Sequence, residues 1–339
     1  MRLLTLNLLT CGATAVLLAL LALPAMGVLG GPREVPAADT RIAPAADPRR
    51  VFGAYVDPWH VDDWARAVGA TPQAIAKFES FSRDRTLAGW ARETRRRGIR
   101  RLFVSWEPWA PVPVAFGLDV QSRPQPGYRN IDIATGSQDR YITRFARSLA
   151  AFPGTVYLRY AHEMNGYWYP WSRGSTSYRW AWRRVVRLFR LAGARNVRFV
   201  WSVNPNLYDP AGVWMRNLRR YWPGRRYVDD VATTMINFGG TAKRYPVARF
   251  VPRLRALRAR FRKPVILAET NTDLTGRVPW LRDLGAMLRT MPWIRALMWS
   301  QLPSRSKAHR PGDGVLDWDV QRDPAAAAEL AKIVREGVG

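Results

Sequence analysis

The chain has 339 residues, of which 47% are hydrophobic and 12% aromatic, so it can bury a sizeable core as one large domain or two smaller ones. Its net charge is +27, and only five of the basic residues are lysines. A basic surface attracts anionic polymers, but no nucleic-acid-binding module accompanies it, so we expect no nucleic-acid partner.

Residues 1–27 form the first recognisable segment. Arg2 is followed by no charge until Arg33, and Ala13 to Leu23 is almost entirely Ala, Val and Leu. This pattern predicts a signal peptide, with a small-residue cleavage site at Ala25-Met26-Gly27. The uncharged stretch is also long enough to span a bilayer, so an uncleaved membrane anchor is the alternative. We therefore expect a secreted or extracytoplasmic protein, either free or held at the membrane.

Residues 28–50 are rich in Pro, Ala and Gly and lack apolar periodicity, which predicts a disordered linker. Residues 51–339 follow as one continuous domain. Its eight strand candidates are short apolar runs, located at Val51–Val56, Ala74–Phe78, Arg101–Trp106, Thr155–Tyr160, Val197–Val203, Val231–Phe238, Pro264–Ala268 and Ile294–Trp299.

Helical patterns separate most of these strands. One follows Ser137-Gln138-Asp139, another is predicted to be capped by Ser177, and Asp323-Pro324 is typical of an N-cap and first helical residue. Strands that alternate with helices imply a parallel sheet. Eight such units in one domain fit a (β/α)8 TIM barrel. A doubly wound open sheet is the alternative, but no Gly-rich phosphate loop follows the first strand.

Two glutamates lie at the ends of strand candidates. Glu163 follows the fourth within an aromatic-rich stretch that extends to Trp171, and Glu269 follows the seventh. A carboxylate at a buried strand end costs desolvation energy unless it is paired or functional. Two carboxylates facing each other across a barrel mouth are the arrangement that glycoside hydrolysis requires, and their separation decides between retention and inversion. Glu79 and Glu107, at two other strand ends, either contact sugar hydroxyls or pair with arginines.

Metal chemistry has little support in the sequence. The single cysteine, Cys11, lies in the leader, and the histidines at 60, 162 and 309 are too far apart to form a close-spaced metal motif. We therefore expect no metal and no cofactor.

The run Arg-x-x-His-Glu-Met-Asn-Gly-x-Trp-x-Pro-Trp, from Arg159 to Trp171, resembles the acid/base signature of glycoside hydrolase family 26. That family contains β-mannanases and some β-1,3-1,4-glucanases, and it belongs to a clan of retaining (β/α)8 hydrolases. The resemblance covers about residues 51–320. Further segments that fit it are Gly53 to Tyr55, Trp201 to Asn206, Trp222 to Asp229 and Lys263 to Glu269.

The resemblance implies roles for individual residues. Glu163 would be the general acid/base and Glu269 the nucleophile. His162 would line the −1 subsite, and Arg159 would hold Glu269 ionised. The remaining substrate-binding candidates are Trp168, Trp299, Trp106 and Asn204, with Trp168 and Trp299 as sugar platforms. The alternative roles are a buried histidine satisfied within the barrel wall for His162, pairing with a structural acid for Arg159, and packing for Trp168.

The sixth strand departs from the family pattern. The family commonly has Asp-x-Tyr-Asn there, and its tyrosine hydrogen-bonds the nucleophile. Here Thr234 occupies the Asp position and Ile236 the Tyr position. The phenol donor is therefore missing unless Tyr245 or Tyr208 replaces it.

Together these features predict an exported, monomeric glycosidase that acts on a β-linked polysaccharide of the mannan or β-glucan type, with an acidic polymer as a further substrate to consider. Two alternatives are a glycan-binding protein without hydrolytic activity and a membrane-held protein that processes exopolysaccharide.

Overall fold

The computed structural model describes residues 50–83, 87–111, 122–238, 245–273, 276–301, 306–307, 315–316 and 318–337. The predicted leader and all of the predicted linker except Arg50 lie outside these ranges. Of the helices within the described ranges, none combines the length and the apolar character needed to cross a membrane.

Eight parallel strands form a closed barrel, which confirms the predicted (β/α)8 fold and excludes the open sheet. The strands are β1 Val51–Ala54, β2 Ala74–Ser80, β3 Arg101–Glu107, β4 Thr155–Tyr160, β5 Val197–Val203, β6 Asp230–Asn237, β7 Val265–Thr272 and β8 Ile294–Trp299. The barrel closes at β1, where Gly53 lies opposite both Ala74 of β2 and Met298 of β8. A two-stranded antiparallel pair, β9 Ser306–Lys307 and β10 Val315–Leu316, follows β8.

At least one helix follows each barrel strand. The helices are α1 Val61–Val68, α2 Ala88–Arg96, α3 Asn130–Thr135, α4 Asp139–Ala150, α5 Ser175–Leu191, α6 Ala211–Tyr221, α7 Val251–Phe261, α8 Arg277–Thr290 and α9 Pro324–Gly337. The predicted cap of α9 is confirmed, since the Ala326 N–H donates to Asp323 Oδ1 at 3.0 Å. The predicted Ser177 cap is wrong. Gly174, with φ of 80°, is the N-cap of α5, and Ser177 lies in its first turn.

Side chains alternate between the barrel interior and the layer beneath the helices, because successive strand residues point to opposite faces. In β3, Phe103 belongs to the interior cluster, whereas Leu102, Val104 and Trp106 belong to the larger cluster between barrel and helices. The same alternation directs Ser105 and Glu107 inward. This alternation, here called strand parity, therefore decides which side chains at the carboxyl ends of the strands can reach the open end of the barrel, here called the mouth.

Strand β7 breaks this alternation at its carboxyl end. Leu267 lies opposite Thr233 of β6, but the next pair is Glu269 with Thr234, so Ala268 is an extra residue. Ala268 belongs to the interior cluster, and strict alternation would turn Glu269 towards the helices. The bulge resets the register and directs Glu269 to the barrel mouth, as β-bulges beside active sites often do.

A buried ion pair lies near the amino ends of β5 and β6. Arg198 Nε donates to Asp230 Oδ2 at 2.8 Å and Nη2 donates to Oδ1 at 3.0 Å. Such a bidentate pair satisfies two charges that would otherwise be costly to bury. The two charged side chains at the amino ends of β5 and β6 are therefore paired with each other.

We predict that Gly53→Val destabilises the protein by about 1–3 kcal/mol, because a Cβ at this position would lie 3.0 Å from the Ala74 carbonyl oxygen and would also meet Met298 Sδ. Urea unfolding measures the change. Gly89→Ala is the matched control, since Gly89 lies in α2 with no heavy atom closer than 3.9 Å and should gain about 0.5–1 kcal/mol. Equal stability of wild type and Gly53→Val would contradict the tight β1–β8 closure.

Candidate active site

The carboxyl ends of the barrel strands bring Glu163 and Glu269 to one mouth. Glu163 lies in the turn after β4, where Ala161 and Glu163 have positive φ angles of 43° and 53°. Non-glycine residues in this left-handed region store strain, and such strain is concentrated at functional sites. The Glu163 N–H donates to the Ser202 carbonyl at 2.9 Å, which fixes the turn against β5.

Arg159 connects the nucleophile candidate to the barrel. Its side chain is fully buried, and Nη1 donates to Glu269 Oε1 at 2.6 Å. Nε donates to Ser202 Oγ at 2.9 Å and Nη1 to Ser105 Oγ at 3.2 Å. Burial lowers the pKa of Arg159, but the negative charges of Glu269 and neighbouring groups raise it above its ordinary value. The guanidinium therefore stays charged and pairs with Glu269.

Tyr55 supports this ion pair from below. Its hydroxyl donates to the carbonyl of Ala268 at 3.1 Å and lies 3.0 Å from Ser105 Oγ. Burial raises the pKa of Tyr55, so the phenol stays neutral and remains a donor. The Tyr55 hydroxyl therefore contacts both Ala268, which precedes Glu269, and Ser105, which accepts a hydrogen bond from Arg159.

Thr234 of β6 joins the two glutamates. Its hydroxyl accepts from Arg159 Nη2 at 3.4 Å and donates to Glu163 Oε1 at 2.5 Å. A continuous chain of polar contacts therefore leads from Glu269 through Arg159 and Thr234 to Glu163. The sequence identifies Thr234 only as a departure from the family pattern, because a bridging role depends on side chains from β4, β6 and the turn after β4.

The sixth strand places no phenol on Glu269. Ile236 packs against Trp318. The hydroxyls of Tyr245 and Tyr208 are hydrogen-bonded to each other. The structure therefore agrees with the expectation that the sixth strand provides no phenol donor. The hydrogen-bond donor to Glu269 is Arg159 of β4.

Glu163 is 8% exposed, and the groups around it act on its pKa in opposite directions. Burial, and then the charge of Glu269, raise its pKa above the ordinary value. Arg159 and hydrogen bonds from Thr234 and Asn204 act in the opposite direction but do not cancel the rise. Glu163 therefore retains a proton more readily than an exposed glutamate, as a general acid must.

Glu107 is a third carboxyl group at the mouth, and the sequence left its role open. It ends β3, is 8% exposed and accepts from Trp109 Nε1 at 3.2 Å. Burial raises its pKa to about 7. Its inward direction in the closed barrel distinguishes it from Glu79, which follows the inward-facing Phe78 and is directed to the helix side of β2.

His162 lies beside Glu107, with 3.9 Å between its Nε2 and Glu107 Oε1. Burial and the charge of Arg159 lower the pKa of His162 well below its ordinary value, so the ring is neutral. Nε2 lies 3.1 Å from the Tyr169 hydroxyl, and Nδ1 has no hydrogen-bond partner among the described residues.

The aromatic residues that follow Glu163 differ in burial. Trp171 is buried, stacks on Tyr169 with 4.3 Å between ring centroids, and donates from Nε1 to the His162 carbonyl at 2.6 Å. Trp168 is half-buried and packs over Gly166, where a Cβ would lie 2.6 Å from the indole ring. Trp168 is therefore the tryptophan of this run with a surface left open.

Asn204 is held where it can act on Glu163. Its backbone N–H and C=O pair with the side chain of Asn165 at 2.8 Å each, and its own side chain hydrogen-bonds Glu163. The structure therefore places it beside the acid/base candidate.

Two predicted substrate-binding tryptophans do not face the mouth. Trp106 is 0% exposed, stacks on Phe145 at 4.6 Å and donates from Nε1 to the Tyr141 hydroxyl at 3.2 Å. Trp299 is also 0% exposed and lies in the layer between barrel and helices, because it follows the interior-facing Met298. The structure corrects the expectation that these two residues bind sugar: strand parity points them away from the cleft.

Within the described part of the chain, no three His, Cys, Asp or Glu side chains are grouped so that they could hold a metal ion. The chemistry available at this mouth is that of carboxyl groups, a guanidinium, a neutral imidazole and hydroxyls. The site therefore consists of two glutamates that are linked through the buried Arg159 guanidinium at the carboxyl end of a closed (β/α)8 barrel.

Sequence comparison gives two relatives, while no family model matches the chain. Over 250 residues the chain is 29% identical to endoglucanase H of Acetivibrio thermocellus, which covers 70% of this chain and 24% of that protein. Over 177 residues it is 27% identical to β-1,3-xylanase TXYA of a Vibrio species, which covers 50% of this chain and 34% of that protein. The chain thus matches about a quarter and about a third of the length of these curated relatives.

Solved structures agree on the fold. A family 26 β-mannanase of Bacteroides ovatus aligns with a TM-score of 0.58 at 17% identity, over 86% of this chain and 89% of that one. A β-mannanase from a symbiotic protist of the termite Reticulitermes speratus aligns with a TM-score of 0.53 at 13% identity, over 86% and 88%. The fold that the predicted resemblance to glycoside hydrolase family 26 implies is therefore confirmed.

We predict that Glu107→Gln stabilises the protein at alkaline pH. A raised pKa means that the folded state keeps a proton that the unfolded state releases, so wild-type stability falls as the pH rises from the ordinary value of 4.5 to about 7. Glutamine does not titrate, so the variant should match wild type at pH 4 and exceed it by at most about 3 kcal/mol at pH 8.

Urea unfolding at both pH values measures this difference. Glu336→Gln on α9 is the control, since its surface ion pair with Arg289 should contribute less than about 1 kcal/mol at either pH. A gain for Glu107→Gln that is the same at both pH values would contradict a buried, titrating carboxyl group.

Proposed function

We propose that this chain is a glycoside hydrolase that cleaves a β-linked polysaccharide of the mannan or β-glucan type by a retaining, two-glutamate mechanism. The observation that carries the proposal is the chain of contacts from Glu269 through Arg159 and Thr234 to Glu163. The names of the similar proteins, which include mannanase, endoglucanase and xylanase, support the same class of activity.

The first step joins the sugar to the protein. The carboxylate of Glu269 attacks the anomeric carbon, the glycosidic C–O bond breaks, and Glu163 transfers its proton to the departing oxygen. In the second step, Glu163 takes a proton from water, whose oxygen attacks the same carbon and releases Glu269 as a carboxylate. The net reaction adds one water across one glycosidic bond.

The electrostatics of the site support this change of role at Glu163. In the free site the charge of Glu269 helps to raise the pKa of Glu163, which keeps the acid protonated. Once Glu269 is esterified by the sugar, that charge is gone, while Arg159 remains. The pKa of Glu163 then falls, and its carboxylate becomes available as the base for the second step.

The surrounding residues fit a sugar-binding role. Trp168 is half-buried, and His162, held neutral, offers an imidazole nitrogen beside Glu107. Asn204 contacts Glu163 directly. The net charge of +27 makes acidic polysaccharides worth testing as substrates beside neutral mannans and glucans.

Location belongs to this proposal as well. Export, or retention at the membrane by an uncleaved leader, depends on residues 1–27, which the structure does not describe. Fractionation of expressing cells and sequencing of the mature amino terminus would distinguish a secreted hydrolase from a membrane-held exopolysaccharide-processing protein.

A non-hydrolytic glycan-binding protein is the second candidate, and it is favoured by the isoleucine at the position of the family tyrosine. Loss of a single transition-state hydrogen bond costs about 3–4 kcal/mol in comparable sites. Retention of both glutamates favours hydrolysis, because binding alone does not require an acid and a nucleophile.

We expect Glu163→Gln and Glu269→Gln to abolish most hydrolysis of whichever β-mannan or β-glucan the wild type cleaves. Loss of the general acid should lower kcat by about 10²–10⁴-fold. Loss of the nucleophile should leave less than about one thousandth of the wild-type rate. Reducing-end assays measure both rates, and NMR of the first product should show the anomeric configuration of the substrate.

Glu329→Gln, a surface carboxyl on α9 that pairs with Arg282, is the activity control. Product of the opposite anomeric configuration would refute the retaining mechanism. Tight oligosaccharide binding with no release of reducing ends by the wild type would establish the binding-protein alternative instead.

Thr234 provides a test of how the acid is tuned. Its hydroxyl donates to Glu163 Oε1 and thereby favours the carboxylate form. Thr234→Val removes that bond, so the pKa of Glu163 should rise and the alkaline limb of the kcat/KM profile should move to higher pH. Thr234→Ser keeps the hydroxyl and should restore the wild-type limb. An alkaline limb that is identical in all three proteins would show that Thr234 does not act on the acid.

A further inference from the structure

The face of the barrel opposite the mouth is rich in exposed arginine. This back face consists of the amino ends of the strands and of the connections that lead from each helix to the next strand. In the sector of α5, α6 and α7 it carries a set of exposed arginines, here called the back-face patch: Arg195, Arg219, Arg220, Arg225, Arg226, Arg258, Arg260 and Arg262.

Three neighbouring connections contribute to this patch. Arg195 lies between α5 and β5, and Arg262 lies between α7 and β7. Arg225 and Arg226 lie in the connection from α6 to β6, and β5, β6 and β7 are adjacent in the barrel. Burial and the charge of Arg225 lower the pKa of Lys263, which follows Arg262. The connections after α6 and α7 are therefore close enough for their charges to interact.

Few negative charges balance the patch. From residue 210 to residue 268 the only acidic residues in the sequence are Asp229 and Asp230. Asp230 forms the bidentate pair with Arg198, and Asp229 lies 3.5 Å from Nη2 of Arg190. Within the described part of the chain, no carboxylate forms an ion pair with an arginine of the patch. The patch therefore presents its positive charge to the surroundings.

Other sectors of the back face combine both signs of charge. Arg289 near the end of α8 donates to Glu336 at 2.8 Å, and Arg97 after α2 donates to Glu93 at 3.0 Å. The excess of positive charge is thus a local property of the sector from α5 to α7. It is not spread evenly over the whole face.

The helix dipole explains part of the patch. Cations in the last turn of a helix interact favourably with its carbonyl end, and α6 and α7 each have two arginines there. The remaining arginines of the patch lie beyond the helix ends, where this effect falls off. Neighbouring charges of one sign repel each other, and an anionic partner would relieve that repulsion.

The chain enters the barrel at the same face. Arg50, which precedes β1, donates from Nε to the Ile294 carbonyl at 2.9 Å and from Nη2 to the Leu288 carbonyl at 2.8 Å. Ile294 begins β8, and Leu288 lies near the end of α8. The start of the domain is therefore held at the back face. The uncharged stretch between Arg2 and Arg33 precedes this point in the sequence.

We propose that the back-face patch docks the barrel on an anionic membrane surface, with its arginines on lipid phosphates and the mouth directed away from the bilayer. Arginine suits this role because its guanidinium stays charged and binds phosphate bidentately. A membrane is favoured over a soluble acidic polymer because the patch lies at one end of the barrel, where the chain also enters. This docking goes beyond the proposed hydrolysis and does not depend on it.

The experiment measures sedimentation of the full chain with two kinds of vesicles. One is phosphatidylcholine alone, and the other contains equal parts of phosphatidylcholine and phosphatidylglycerol. Wild type should bind the anionic vesicles at least about tenfold more tightly, and high salt should remove this preference. Binding to the neutral vesicles records whatever the leader contributes and is subtracted.

The triple variant Arg219→Gln/Arg220→Gln/Arg225→Gln removes three charges from the patch. Each arginine near an anionic surface contributes about fivefold to binding, so the preference for anionic vesicles should fall at least about tenfold. Circular dichroism and urea unfolding check that the variant is folded. Arg260→Gln alone, in the adjacent helix, should cause a smaller loss in the same direction.

The matched control is Arg83→Gln/Arg123→Gln/Arg173→Gln, which removes the same charge from exposed arginines in connections on the mouth side. A barrel strand of six residues spans about 20 Å, and the Debye length at physiological salt is about 8 Å. The control should therefore stay within about twofold of wild type in its preference for anionic vesicles at physiological salt.

Equal losses in the two triple variants would show that net charge and not the patch drives binding, and would overturn the proposal. So would a wild type that binds both kinds of vesicles equally. Calorimetry with soluble polygalacturonate tests the competing partner. Patch-dependent binding of that polymer, without any preference for anionic vesicles, would assign the patch to an acidic polysaccharide instead. Hydrolysis enters none of these measurements, so the docking and the proposed function fail or stand separately.

Discussion

The buried guanidinium of Arg159 is the interaction on which this site depends. A charge placed inside a barrel is expensive unless it is paired and its hydrogen bonds are satisfied. Here Glu269 supplies the counter-charge, while Ser105, Ser202 and Thr234 supply oxygen atoms from three other strands. Four strand ends are thus tied to one side chain, and the positions of the glutamates follow from that arrangement.

Charge balance explains why the carboxyl groups differ. Among the described residues, the buried Arg159 acts on Glu107 and Glu163 and pairs with Glu269, while His162 stays neutral. One positive charge stabilises one carboxylate well, and the ion-paired group is Glu269. The other two are left with the cost of burial, so their pKa values rise. The raised pKa of Glu163 beside the ion-paired Glu269 follows from this arrangement.

The sequence predicts the eight strands and the pair of strand-end glutamates, because apolar runs and the capping and turn-forming residues between them are local signals. Three features escaped prediction because they depend on register. Trp106 and Trp299 face the helices because of strand parity at those positions, and parity shows only when the barrel is closed. The bulge at Ala268 that turns Glu269 into the mouth has no sequence marker. The bridge through Thr234 requires side chains from β4, β6 and the turn after β4.

The sixth strand carries Ile236 where the pattern of family 26 has a tyrosine. A phenol that donates to the nucleophile stabilises one carboxylate with one neutral hydrogen bond, whereas Arg159 does so with a full charge at 2.6 Å. Thr234 does not replace that phenol, since its proton is directed to Glu163 and not to Glu269. Within the polar network, the sixth strand therefore donates a hydrogen bond to Glu163 and none to Glu269. The Arg159 guanidinium contacts Glu269, the Thr234 hydroxyl contacts Glu163, and the two groups contact each other. A change in either group therefore alters the electrostatic environment of both carboxyl groups.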